Sequence, residues 1–352
     1  MKKFPFIGTR IVKTGVAIFL TALICDQLGW PPVFAVITAI VTIEPTVSDS
    51  IKKGIVRFPA SAIGSAYAVL FISLLGNSPL TYTLAAVLTI ATCVRLNLHA
   101  GLLVATLTAV AMVEVIHSNY LISFFIRLGT TTIGLLVSTM VNFFVLPPDY
   151  REDIAIHIQS MSRRTGRVVE KVFGDILEGR MDQINAERNL AEQVTNEIQQ
   201  TETLVRFQKD ETKFHPLAGS EKSEFNQAQT QLLKLRMIHY HMNNIINTPL
   251  LIHKWSHEEK KIILHAVYEL AKVLKSETQF DKSKHVKEMN ILTELFWEDN
   301  EDLTKNNKLH PTKFPPELII LYELLTIYDL VAEFYKASGE DNGRTGNKSS
   351  TD

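Results

Sequence analysis

Three stretches of this chain hold no Asp, Glu, Lys or Arg at all: Phe58 to Val94, Leu96 to Val113, and Leu128 to Pro148. A helix needs roughly 20 apolar residues to cross a hydrocarbon core of about 30 Å. A helix in a soluble core carries a polar stripe at the helical period. These stretches offer only small Ser, Thr and Gly, which membrane helices accept where they touch one another. They predict an integral membrane protein rather than a large soluble all-α core.

The charge distribution divides the chain. Residues 1–146 hold nine Lys/Arg and four acids (Asp26, Glu44, Asp49, Glu114), a net of +5. The remainder carries a net of −6, so the overall −1 conceals two unlike halves. The basic residues near the N-terminus followed by VAIFLTALIC resemble a signal peptide. Ile24 is bulky where a cleavage site needs a small residue, and more apolar segments follow at once. The segment is read as an uncleaved first helix.

Six spans are predicted, near 14–28, 32–44, 58–75, 80–94, 98–117 and 120–146. Gly29-Trp30-Pro31-Pro32, Gly76-Asn77-Ser78-Pro79, Asn97 and Ser118-Asn119 separate them. The second is short. Lys2, Lys3, Arg10 and Lys13 precede the first span, Lys52 and Lys53 lie between the second and third, Arg95 follows the fourth, and Arg151, Arg163 and Arg164 follow the sixth. Positive residues mark the cytoplasmic side, so both termini are expected there, with the chain multi-pass in the plasma membrane.

A repeat appears at an offset of 70 residues. Between 31–64 and 101–134, Ala35, Thr38, Ala39, Glu44, Ser48, Arg57, Ile63 and Gly64 are each matched by the same residue type seventy positions on. The unit is three spans. An odd number gives the two halves opposite topology, as in many secondary transporters. This arrangement would put one arginine near each face of the lipid. The expected fold is an all-α membrane protein: a transmembrane domain at 1–148 built from two three-helix repeats, a cytoplasmic helical domain at 149–337, and a disordered tail at 338–352. In the second domain Leu232, Leu235, His239 and Met242 form one helical stripe, and Leu318, Leu321, Leu325, Tyr328 and Val331 another.

Ionisable residues inside spans are costly and are functional candidates. Glu44 and Arg57 are 13 apart, and so are Glu114 and Arg127. Each pair is open to three readings. It is a salt bridge pinning two helices, or an anion-attracting arginine beside a proton-accepting carboxylate, or an interfacial pair reaching water. Asp26 is either a proton acceptor or an interfacial group. Asp49 lies in the Thr46–Ser50 cluster, which is suited to capping a helix that carries Lys52 and Lys53, or to holding an anion at its start.

Other chemistry finds little support. Cys25 and Cys93 sit in apolar segments as small hydrophobes. His239 and His241, and His253 and His257, lack the companions of a metal site. No GxxxxGK[ST] or GxSxG motif occurs, so no enzyme, metal or cofactor is expected. Basic residues of the second half are mixed with acids, against a nucleic-acid surface.

The stretch from Arg10 to Pro148 resembles the bacterial aromatic acid exporter family, related to the fusaric acid resistance proteins. RIVKTGVAIFLTALI at 10–24, PPVFAVITAIVTIEPTVSDSIKKGIVRFPASAIGSA at 31–66 and RLGTTTIGLLVS at 127–138 carry the resemblance. Pro59 stands where relatives often have Gly. The resemblance implies proton-linked efflux of aromatic or other weak organic acids, with a homodimer replacing the two six-helix units of larger relatives. Channel behaviour is a variant within the family. The competing expectation is a non-transporting membrane scaffold or signalling protein built on the long cytoplasmic part.

Overall fold

A computed structural model describes residues 8–115, 119–180, 184–247, 255–276, 280–304 and 315–339. All regular structure among them is helical: twelve α-helices and one short 3-10 turn at His99–Gly101. The tail expected from 338 lies, from residue 340 on, outside the described residues, as do Lys2, Lys3, His117, Ser118 and His253. The chain forms two compact units. The first comprises residues up to Asp149 together with Phe207–Pro216, and the second Tyr150–Arg206 and the residues from Leu217 on.

The first unit contains α1 (Thr9–Gln27), α2 (Val33–Thr42), α3 (Val47–Leu75), α4 (Pro79–Arg95), α5 (Leu102–Val115) and α6 (Tyr120–Phe144). Local chemistry explains the breaks. Gly76 ends α3 in the left-handed region at φ 62°, which only glycine adopts without cost. Ser78 then accepts a hydrogen bond from Thr81 N, with Pro79 at the first position of α4. Expected and observed boundaries differ most at α3, which begins at Val47 rather than Phe58. Thr46 caps it, its hydroxyl accepting from Asp49 N at 3.0 Å. Lys52, Lys53 and Arg57 are therefore part of the helix, as is Pro59.

Helix α1 packs on α2 and α6, and α4 packs on α5 and α3. Helix α2 packs on α6, α5 packs on α3, and α3 and α6 pack on each other. A methyl group on Gly64 would run into the carbonyl oxygen of Ala105, and one on Gly134 into that of Ala35. The small residues thus let backbones approach, as the membrane reading anticipates. Thr21, Thr38, Ser61, Ser65, Thr89, Thr108 and Thr131 face inward, while Phe19, Leu74, Leu103, Leu121 and Phe125 are exposed. Polar groups inside and large apolar groups outside reverse the pattern of a water-soluble protein and suit a lipid surround. Helices α3 and α6 are each long and apolar enough to cross a bilayer. Helices α2, α4 and α5 are apolar but shorter.

The second unit is formed by α7 (Arg151–Leu177), most of α8 (Ile184–Glu211), α9 (Gly219–Asn247), α10 (His257–Lys275), α11 (Lys282–Thr304) and α12 (Pro316–Gly339). Helix α10 starts with a capping box between Ser256 and Glu259. Its core gathers Phe173, Ile238, Met242, Leu270, Leu321 and Tyr328. The α12 stripe enters it at Leu321, Tyr328 and Val331, with Leu325 only partly covered, and Met242 joins it from α9, while Leu232 and Leu235 pack in a second cluster with Ile154, Ile158 and Met161. The Tyr328 hydroxyl donates to Ala266 O at 2.6 Å, which satisfies the one polar atom that this large side chain takes into the core.

Candidate functional site

Arg57 lies on α3, three turns from the Thr46 cap, and is 6% exposed. Its Nη2 donates to Glu44 Oε1 at 2.7 Å and its Nε to Ala100 O at 3.2 Å. Lys53, one turn earlier, donates to Glu44 Oε2 at 2.7 Å. Glu44 sits just beyond the end of α2, so its carboxylate is free to face back onto α3. The expected pairing of Glu44 with Arg57 is present, and Lys53 joins it.

The second half differs. Arg127 on α6 is 4% exposed. It donates through Nη2 to the Thr108 hydroxyl, and its guanidinium lies 4.3 Å from the centre of the Phe34 ring. Its Nε and Nη1 have no hydrogen-bond partner among the described residues. Glu114, the expected partner, is exposed and accepts from the Tyr82 hydroxyl at 2.6 Å. Of the three readings open to Glu114 and Arg127, the salt bridge is thus corrected. The reason is local: α5 continues through Glu114 to Val115, whereas α2 stops at Thr42, before Glu44. Glu114 is held on its helix, and Glu44 is not.

A cavity of about 80 Å³ adjoins Arg127, lined also by Pro31, Phe34, Met112, Ser123, Ile126 and Thr130. Behind it the hydroxyls form a circuit. Thr131 donates to Arg127 O at 2.9 Å, which uses its one hydrogen. Ser61, 3.2 Å from Thr131, must then be the donor in that pair, and Thr108, 3.4 Å from Ser61, donates to Ser61. Arg127 in turn donates to Thr108. The ring of bonds begins and ends at Arg127 and orients its guanidinium toward the cavity wall.

Asp26 is exposed in the last turn of α1, and Asp49 is half-buried in the first turn of α3. Among the described residues, neither side chain bonds to an arginine. Sequence reasoning missed Lys13, taken there as a topology marker. It is 5% exposed, and its Nζ donates to Asn142 Oδ1 at 2.7 Å. Asn142 donates to Ser50 Oγ at 2.9 Å and Glu44 O at 3.1 Å. Glu211, in the returning segment of this unit, accepts from Val47 N at 3.1 Å and from His215. Phe34 and Tyr82 carried no sequence signal. Thr108 did carry one, as one of the residues repeated at the 70-residue offset. Among the described residues, no group of three His, Cys, Asp or Glu side chains is placed to hold a metal ion.

Residues 5–145 match the family described as "Aromatic acid exporter family member 1". A UPF0421 protein of Oceanobacillus iheyensis is 48% identical over 338 residues, 95% of this chain and 97% of that one. A UPF0421 protein of Bacillus thuringiensis subsp. konkukian is 41% identical over 351 residues, 98% of each chain. One of Staphylococcus haemolyticus is 36% identical over 333 residues, 94% of this chain and 97% of that one.

Proposed function

We propose, from the premise that this chain belongs to the UPF0421 family and carries an aromatic acid exporter unit over residues 5–145, that it exports small organic anions across the plasma membrane. Aromatic and other weak carboxylic acids are the substrate class. In this reading α1–α6 cross the bilayer as two inverted three-helix repeats, with both termini and the second unit in the cytoplasm. The protein works as a homodimer without a metal or cofactor. The outward apolar faces and inward hydroxyls support a lipid setting. The shortness of α2 and α5 fits helices that end inside the unit, where neighbouring helices satisfy their backbone.

The observation that carries the reading is Arg127. A buried cation without a carboxylate is expensive, and this one keeps two nitrogens unpartnered beside a cavity. A guanidinium binds a carboxylate through paired charge-assisted hydrogen bonds. The Phe34 ring beside it offers an aromatic substrate an apolar contact. Arg57 is already neutralised by Glu44. Proton linkage falls to the carboxylates Glu44 and Glu114.

The test is flux in proteoliposomes under an imposed pH gradient, with benzoate-like and aliphatic acids. Wild type is expected to move aromatic acids, and Arg127→Gln to reconstitute equally well but lose the flux. No flux of any acid by wild type, together with a protein partner bound through residues 150–352, would favour the scaffold reading instead.

A further inference from the structure

The two halves repeat Thr38/Thr108, Glu44/Glu114 and Arg57/Arg127, yet they hold these residues differently. In the first half the arginine is bound to its glutamate. In the second the arginine is bound to its threonine, and the glutamate has gone to Tyr82. One set of residues has two arrangements, and each half displays one of them.

We propose that the two halves exchange these arrangements during transport, so that the second state pairs Arg127 with Glu114 and frees Arg57 from Glu44 to donate to Thr38. The inference rests on the transport reading above and names the conformations through which that site works. Thr38 is fully buried, and its hydroxyl donates to Phe34 O at 2.8 Å, leaving its oxygen able to accept. Pro45 disfavours helix at Glu44, so α2 would keep its present end and Glu44 would swing away on the turn that carries it, while the last turn of α5 would open to release Glu114. The close contacts are themselves symmetric: Gly64 against Ala105 and Gly134 against Ala35 are the same contact made twice. In the second state the unpaired guanidinium is that of Arg57, so the anion site moves from α6 to α3.

The sequence also tells which state is favoured. Lys53 gives Glu44 a second cation. Its counterpart seventy residues on is Ser123, which lines the Arg127 cavity and cannot hold Glu114 in that way. The observed state therefore has one more ion pair than its mirror image, and the equilibrium lies toward it. Tyr82 adds to the bias, because its counterpart is Val12.

The test is spin-label distance measurement on the full chain, with Cys25 and Cys93 replaced by alanine and its fold checked by thermal melting. One label pair sits at Val33 and Leu121, the other at their counterparts Leu103 and Ile51. Both pairs are expected to give the same two distances in opposite proportions. Lys53→Ser and Ser123→Lys are each expected to raise the minor population, by roughly threefold to tenfold. A single distance for each pair, unmoved by either variant while flux persists, overturns the exchange and leaves the transport reading standing. Absence of flux for every acid overturns the transport reading, whatever the labels show.

Discussion

The hydroxyl oxygens of Ser61 and Thr131 lie 3.2 Å apart, and each residue is the other's counterpart seventy positions along the chain. A residue that bonds to its own duplicate marks the line on which two copies of a motif meet. Here that line runs between α3 and α6, whose arginines lie one helical turn before the two hydroxyls. The same line carries the circuit that begins and ends at Arg127.

Breaking the circuit at Ser61 tests its worth. Ser61→Ala leaves the Thr108 donor and one Thr131 acceptor unmet among buried groups. A loss of about 1–3 kcal/mol is expected, read as a lower melting temperature in detergent. Ser73→Ala, at an exposed hydroxyl that bonds only to Leu70 O, is expected to change little.

Glycine substitutions separate close packing from helix propensity. Gly64→Ala and Gly134→Ala each drive a methyl into a backbone carbonyl that has no free rotamer, and each is expected to cost about 1–3 kcal/mol. Gly54→Ala meets only a Leu135 methyl at 3.8 Å. It is expected to be neutral or stabilising by up to about 1 kcal/mol. Thermal melts of the three variants check the order.

The two arginines should part company in stability. Arg57→Met removes a cation from a buried pair and leaves Glu44 to Lys53 alone, which is expected to cost several kcal/mol, on the order of 3–5. Arg127→Met removes a buried cation that has no carboxylate, so the melting temperature is expected to hold or rise while transport is lost. Equal destabilisation by both changes would show that Arg127 has an anionic partner in the resting protein.

Acid sensitivity of the second unit is expected to centre on His239. Its Nε2 faces the Thr165 hydroxyl at 2.8 Å, and Thr165 donates to Met161 O. His239 is therefore the donor, and its buried Nδ1 has no partner among the described residues. Burial lowers its pKa to about 4 from the ordinary 6.5. The neutral form is favoured in the fold, so this contribution to stability is complete above pH 6.5 and is lost as pH falls toward 4. The loss amounts to about 3 kcal/mol. Denaturant titrations at pH 7.5 and 4.5 check it: His239→Gln should narrow the gap between the two pH values relative to wild type.

The apolar runs made the lipid setting legible, because a helix without a polar stripe has nowhere else to be stable. The offset of 70 was legible because identical Glu and Arg are rare in such runs. The Glu44–Arg57 contact followed from spacing, since 13 residues allow a turn and a return along the next helix. The same spacing failed for Glu114 and Arg127. The difference lies in the following residue: Pro45 after Glu44 disfavours helix there, where Val115 after Glu114 does not. Lys13 looked like a surface marker because sequence position alone does not show that α1 starts at Thr9 and carries Lys13 inward to Asn142.

By itself the sequence determined the helices, their apolar outer faces and the duplicated set of threonine, glutamate and arginine. These depend on composition and on periods short enough to read along one chain. The tertiary structure decided which arginine is neutralised and which is left bare. That choice turns on which hydroxyl or carboxylate lies across from each guanidinium, so it is a competition between groups far apart in sequence.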